Sequence, residues 1–128
     1  MGVFSVKIEV KSVQMTQQLS IEVVVDTGAS LSIIPQETLD KIGVKHLWQR
    51  QFTLTNGEKI ERDIGIAIFN WNGHEGASEV IFGKSEDKPL LGALTLESLG
   101  LKVNSREQKI EPGEMWLLKL TTKDCPNG

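Results

Sequence analysis

Val23-Val24-Val25-Asp26-Thr27-Gly28-Ala29-Ser30 decides the reading of this chain. A run of β-branched residues ends in one acid, a small hydroxyl residue and glycine. The run reads as a buried strand, and Asp-Thr-Gly reads as the loop that leaves it. A carboxylate at the end of an apolar strand is poorly solvated, so it needs partners or serves proton chemistry. The tripeptide alone recurs by chance in roughly a few per cent of chains this long, so its surroundings carry the weight.

Working outward, residues 3–13 alternate, with Val6, Ile8 and Val10 on one face and Lys7, Glu9 and Lys11 on the other. That is a half-exposed strand. Residues 19–25 form the strand that carries Asp26, and Ser32-Ile33-Ile34 continues extended. Pro35 then starts a short helix over 36–42, with Gly43 as its stop. Residues 51–55, Asn56-Gly57 and 58–63 read as a hairpin, because both turn positions tolerate positive φ. A second hairpin runs 64–71, Asn72-Gly73, 77–82. A polar loop over 83–88 leads to the short apolar strand Pro89-Leu90-Leu91-Gly92. Residues 94–99 read as a helix stopped by Gly100, and residues 101–103 and 115–120 as the last strands. The expected organisation is one domain over 1–120 and a frayed tail over 121–128.

Composition narrows the function classes. The 128 residues carry a net charge of −3, and no block of like charge stands out. A phosphate binder usually shows a basic patch, so nucleic acid is not expected as the partner. The single cysteine, Cys125, excludes an intrachain disulfide. The N-terminus starts straight into alternation, and Gly2 is followed by Val6 where a myristoylation signal wants Ser or Thr. No apolar run reaches membrane-spanning length. A cytoplasmic protein without membrane partners is the expectation.

One internal echo bears on the architecture. Thr38-Leu39-Asp40-Lys41-Ile42-Gly43-Val44-Lys45 resembles Thr95-Leu96-Glu97-Ser98-Leu99-Gly100-Leu101-Lys102, 57 positions later. Each copy follows an apolar strand ending in glycine, Gly28 in the first and Gly92 in the second. The domain therefore reads as two similar halves about a local two-fold. In this alignment Leu90-Leu91 take the place of Asp26-Thr27, so one half carries the acid.

An Asp-Thr-Gly-Ala loop after a Val-rich strand, two hairpins, then Leu-Leu-Gly before a short helix resembles the retropepsin-type aspartic proteases. The helix over 36–42 is more similar to the small cellular and prokaryotic stand-alone members than to the viral enzymes. The resemblance implies an all-β closed barrel with one or two short helices, a homodimer, a polypeptide substrate and no cofactor or metal. It assigns catalysis to Asp26, Thr27 and Gly28. It places Ala29, Leu91 and a flap hairpin of Thr55, Asn56, Gly57 and Glu58 around the substrate.

The implied chemistry also stands on elementary grounds. Two carboxylates at close range share one proton, because both cannot ionise cheaply. One takes a proton from water while the other protonates the peptide carbonyl. This chain offers one such acid, so two chains must meet, each giving Asp26. By resemblance, Thr27 interlocks with the partner's backbone and Gly28 lets backbone approach the carboxylates. Ala29 stands where pepsin-like enzymes carry Ser or Thr; the missing hydroxyl no longer supports the ionised form, which points to activity at mildly acidic to neutral pH.

Three departures from the viral pattern follow. The flap tip is polar and lacks a glycine-rich stretch. Ala93 stands where viral members commonly have an arginine bracing the dimer. The segment over 107–120 is unlike the short viral terminal strand, and dimerisation is expected to use 115–120. The remaining reactive residue types read plainly. His46 and His74 lack metal-ligand spacing and read as surface or satisfied loop histidines. Cys125 has no positioned base. Trp48, Trp71 and Trp116 read as core or interface. The competing reading from another class is a catalytically silent module that kept the fold to bind peptide or to assemble.

Overall fold

The computed structural model describes residues 3–14 and 17–114. The expected strand over 115–120, Trp116, Cys125 and the tail over 121–128 lie outside the described residues.

Alternation builds the first hairpin. β1 (Ser5–Lys11) pairs antiparallel with β2 (Gln18–Val25), and Ile8 stands opposite Ile21. Ile8, Val10, Val23 and Val25 enter the core while Lys7 and Glu22 stay exposed. There follow β3 (Ser32–Pro35), α1 (Gln36–Lys41), β4 (Trp48–Thr53), β5 (Lys59–Trp71), β6 (His74–Gly83) and β7 (Leu90–Leu91). The described chain ends with α2 (Ala93–Ser98), β8 (Leu101–Asn104) and β9 (Lys109–Pro112). The class is all-β with two short helices, as expected. Seven strands form one sheet in the order β1-β2-β7-β3-β6-β5-β4. An additional β1–β5 pairing, Val10 opposite Phe69, brings the first strand back to the far side, so six strands return on themselves. β8 and β9 make a separate two-stranded ribbon.

Phe69, Phe82, Leu39, Leu91 and Leu96 fill the space between sheet and helices. Each such side chain contributes about 1.5–3 kcal/mol through burial. The six-residue helices are too short to persist alone, so these contacts hold them in place. α1 ends in a Schellman arrangement: Val44 N–H donates to Leu39 C=O at 3.0 Å and Gly43 N–H to Asp40 C=O at 3.1 Å.

The structure corrects several expectations. β5 is one unbroken strand over 13 residues, where two separate strands were expected. It changes partner at Ile64, which faces Trp48 of β4 on one side and Ile81 of β6 on the other. The Asn72-Gly73 turn is a two-residue turn with both φ positive, 53° and 89°. The Asn56-Gly57 turn is not: only Gly57 has positive φ there, at 90°. Leu54 N–H donates to Glu58 C=O and Gly57 N–H to Leu54 C=O, which makes a three-residue loop. The Asn56 side chain instead accepts from Glu58 N–H at 2.9 Å. The strand β9 was not anticipated. Trp48, read as core or interface, is 44% exposed in the single chain, which leaves the core half of that reading behind.

The two-half reading holds, with a corrected alignment. α1 and α2 are 57 positions apart at both ends, and Gly43 and Gly100 after them share positive φ. β2 pairs parallel with β7 through Val24–Leu90 and Val25–Leu91. β3 pairs parallel with β6 through Ile33–Ile81 and Ile34–Phe82, which is the same pairing moved by 57 positions. Leu90-Leu91 therefore match Ile33-Ile34, not Asp26-Thr27. The counterpart of Asp26 is Gly83.

Candidate active site

Asp26 leaves the end of β2 where two segments grip its loop. Its N–H donates to Leu91 C=O at 3.0 Å, directly continuing the β2–β7 ladder. Its Oδ1 accepts from Gly28 N–H at 2.9 Å, and its C=O accepts from Ala29 N–H at 3.2 Å. The start of α2 grips the other end: Ala93 N–H donates to Ala29 C=O at 2.8 Å and Leu94 N–H to Ser30 C=O at 3.0 Å. Those first-turn amides have no partner within their helix, so the loop carbonyls satisfy them. The contact is close. A Cβ on Gly92 would lie 2.7 Å from the Leu31 carbonyl, so only glycine lets the two segments meet.

The Asp26 loop opens onto a cleft of about 770 Å³. Leu31, Ile33, Phe52, Ile60 and Ile81 give it an apolar floor. Leu54 and Leu94, both exposed, stand at its mouth. Polar and charged side chains, among them Arg50, Arg62, Glu79 and Asp87, complete the lining. The β4–β5 hairpin hangs over it, with Thr55 and Asn56 in its lining. In the single chain Asp26 is half-buried and Thr27 and Gly28 are exposed. The acid therefore faces outward at the cleft mouth, and its burial depends on what covers it.

Two ion pairs make the polar wall. Arg62 is 7% exposed and forks onto Asp87, with Nε to Oδ2 at 2.7 Å and Nη2 to Oδ1 at 2.9 Å. Its third nitrogen donates to Glu61 C=O, and Asp87 also accepts from Lys84 N–H. The Arg62 guanidinium holds the Asp87 carboxyl below the usual carboxylate range. Nearer the rim, Arg50 and Glu79 approach to 3.6 Å.

His46 lies outside the cleft, at the root of the hairpin. Its Nε2 meets Asp40 Oδ1 of α1 at 2.7 Å and its Nδ1 meets Asp63 Oδ2 of β5 at 2.5 Å. Its ring stacks on Phe82. With both nitrogens on carboxylates, the ring is held as the imidazolium. The bond to Asp40 is the largest cause of its raised pKa, ahead of that to Asp63.

Of the residues singled out from sequence, Asp26, Gly28, Ala29, Thr55 and Asn56 line one cleft. Thr27 sits beside it on the exposed loop. Gly57 and Glu58 form the outer side of the hairpin tip, and Leu91 is wholly buried behind the loop, where its carbonyl anchors Asp26. Sequence reasoning missed Arg62 and Asp87, which are far apart in the chain and look like ordinary surface charges. It also missed Ser32, Ser78 and Thr95, whose hydroxyls meet in the core. The one available signal was a lone polar residue inside an apolar run, as in Leu31-Ser32-Ile33.

Residues 10–93, more than half of the chain, match the profile of a family described as aspartyl protease. No curated protein matches the sequence significantly. Among solved structures, the simian foamy virus (mac) protease is similar at 16% identity and a TM-score of 0.48, over 71% of this chain and 91% of that one. A retropepsin-like aspartic protease from Rickettsia conorii is similar at 23% identity and a TM-score of 0.41, over 82% of this chain and 95% of that one. On the family match, which spans the Asp26 loop, both hairpins and the Leu-Leu-Gly segment, this chain belongs to the aspartyl protease family.

Proposed function

We propose that the chain is one half of a homodimeric aspartic endopeptidase, with Asp26 from each copy forming the dyad. The observation that carries this reading is the outward-facing Asp26 at the mouth of a peptide-sized cleft, gripped on both sides by backbone hydrogen bonds. A second acid within the chain is not supplied by the matching half, where Gly83 stands. A two-fold axis beside the loop brings the same residue from a second copy to the first.

In this reading a water lies between the two carboxylates. The ionised one takes a proton from it as it attacks the peptide carbonyl carbon. The protonated one gives its proton to the carbonyl oxygen, forming a neutral tetrahedral diol. Collapse of the diol breaks the C–N bond and returns a proton to the leaving nitrogen. Thr27, exposed on the loop, interlocks with the partner. Gly28 fixes the Asp26 carboxylate through its amide. Ala29, Thr55 and Asn56 hold the extended substrate by backbone hydrogen bonds, while Gly57 and Glu58 shape the tip of the hairpin, which closes as a flap that excludes water. Leu91 contributes from behind, through its carbonyl. The reading includes a cytoplasmic setting, supported by a chain with one cysteine. Among the described residues, no helix is long and apolar enough to cross a membrane.

The test is cleavage of a mixed peptide library by the purified protein and by Asp26→Asn, from pH 4 to 8. Cuts made by the wild type and lost in the variant support the reading. A folded, dimeric wild type that cuts nothing favours a peptide-binding or assembly module instead.

A further inference from the structure

We propose that Thr95 is a positioning residue for the Asp26 loop, acting through a one-way chain of buried hydrogen bonds; this rests on the protease reading above. Thr95 lies in the first turn of α2 and is 0% exposed. Its Oγ1 meets Ser32 Oγ at 2.6 Å and Ser78 Oγ at 3.0 Å. Ser32 Oγ also accepts from Gly92 N–H at 2.8 Å, and Ser78 Oγ donates to Glu79 C=O at 3.1 Å.

The ends of this array set the direction of every proton in it. An amide N–H only donates and a carbonyl oxygen only accepts. Ser78 uses its proton on Glu79, so Thr95 must donate to Ser78. Thr95 has then used its own proton, so Ser32 must donate to Thr95. The chain runs Gly92 N–H to Ser32 to Thr95 to Ser78 to Glu79 C=O, with each hydroxyl donating once and accepting from its neighbour. Such a chain is cooperative, and one missing link leaves two buried groups unsatisfied.

Its location gives it a task. Gly92, Ala93 and Leu94 are the residues that grip the Asp26 loop, and Thr95 follows them directly. The other end is the backbone of Glu79, which lines the cleft. Thr95 thus ties the start of α2 to β3 and β6 at once. Without it, the amides of Ala93 and Leu94 lose their fixed aim at the carbonyls of Ala29 and Ser30. A displacement of about 1 Å at a reacting group costs on the order of a hundredfold in rate.

The experiment compares Thr95→Val, which keeps the shape and removes the hydroxyl, with Thr95→Ser, which keeps the hydroxyl. Steady-state cleavage and amide hydrogen exchange are read on both. For Thr95→Val, kcat falls about 10- to 100-fold while KM stays within about twofold. Exchange at Gly92, Ala93 and Leu94 speeds at least about tenfold, while Ile8 and Val23 in the first hairpin keep their protection. Thr95→Ser behaves as wild type. Unchanged kcat and protection in Thr95→Val overturn the proposal. So does a uniform loss of protection that Thr95→Ser fails to rescue. Should Thr95→Val not fold, Ser78→Ala removes the acceptor of Thr95 and is read in the same way, with a smaller effect expected. If the wild type cuts no peptide, the protease reading falls, and exchange alone decides whether Thr95 holds the loop.

Discussion

Asp26 and Gly83 hold equivalent positions in the two halves of the chain. Asp26 follows the Val25–Leu91 pair, and Gly83 follows the Phe82–Ile34 pair. A Cβ at Gly83 would lie 2.7 Å from Ile33 Cγ2 and 3.6 Å from Asp87 Cβ. Gly83→Asp therefore meets both a side chain and a like charge. We expect it to lower stability by about 2 kcal/mol, read from denaturant unfolding, and to bring no activity at dilutions where the wild type is monomeric. A Gly83→Asp monomer that cuts peptides would show that one chain can build the dyad.

The proposed shared dyad makes an inactive variant dominant. When equal amounts of wild type and Asp26→Asn exchange subunits freely, half of the dimers are mixed. Activity should settle at about half that of the wild-type protein present. No fall after exchange, with subunit mixing verified by mass, would mean that each chain acts alone.

Arg62 and Asp87 bind β5 to the loop ahead of β7. Removing one partner strands a buried guanidinium or a part-buried carboxylate. Arg62→Met leaves a part-buried Asp87 carboxylate and should cost about 1.5–3 kcal/mol, and the double change Arg62→Met with Asp87→Leu should recover much of that. A double-mutant cycle in urea measures the coupling. The pair also sets a lower pH limit. The Asp87 pKa is depressed in the folded state by Arg62, so its contribution is present above the unfolded value and is lost as pH falls through the folded one. A wild-type acid limb that Asp87→Asn leaves unchanged would contradict this.

His46 sets the opposite limb. Its folded pKa is raised, first by Asp40, so its contribution is fully present below the unfolded value near 6.5 and is lost as pH rises through the folded value. Asp63 is depressed, first by His46, so its share is lost at acid pH. Lys84 adds a favourable charge beside Asp63, and Gln49 donates to it. Stability should thus be greatest between the two limits. In His46→Gln the fall in Tm above neutral pH should flatten, as followed by thermal unfolding. An identical slope in both proteins would remove His46 from the account.

Much of the fold was legible because local signals agreed. Alternation placed β1 and β2, Asn72-Gly73 placed a turn, and the repeated helix-Gly pattern placed α1 and α2 within a residue or two. The errors have physical causes. β5 was divided because residues near Ile64 and Gly65 change neighbours there, and a change of partner leaves no mark on strand periodicity. β9 was missed because ribbon pairing with β8 uses few apolar residues. The alignment of the halves went astray because glycine was matched with glycine, while the true correspondence lies in ladder register.

For the site, the sequence by itself singled out Asp26 as the candidate acid and the tight loop that carries it, and the structure shows that loop at a cleft. The acid and its loop depend on residue types and near neighbours. Only the tertiary structure decided what holds that loop. The amides of Ala93 and Leu94, the Ser32–Thr95–Ser78 hydroxyl chain and the Arg62–Asp87 fork each join residues distant in sequence. A buried polar group must find a partner wherever the fold brings one within reach, and that distance is set by packing rather than by spacing along the chain.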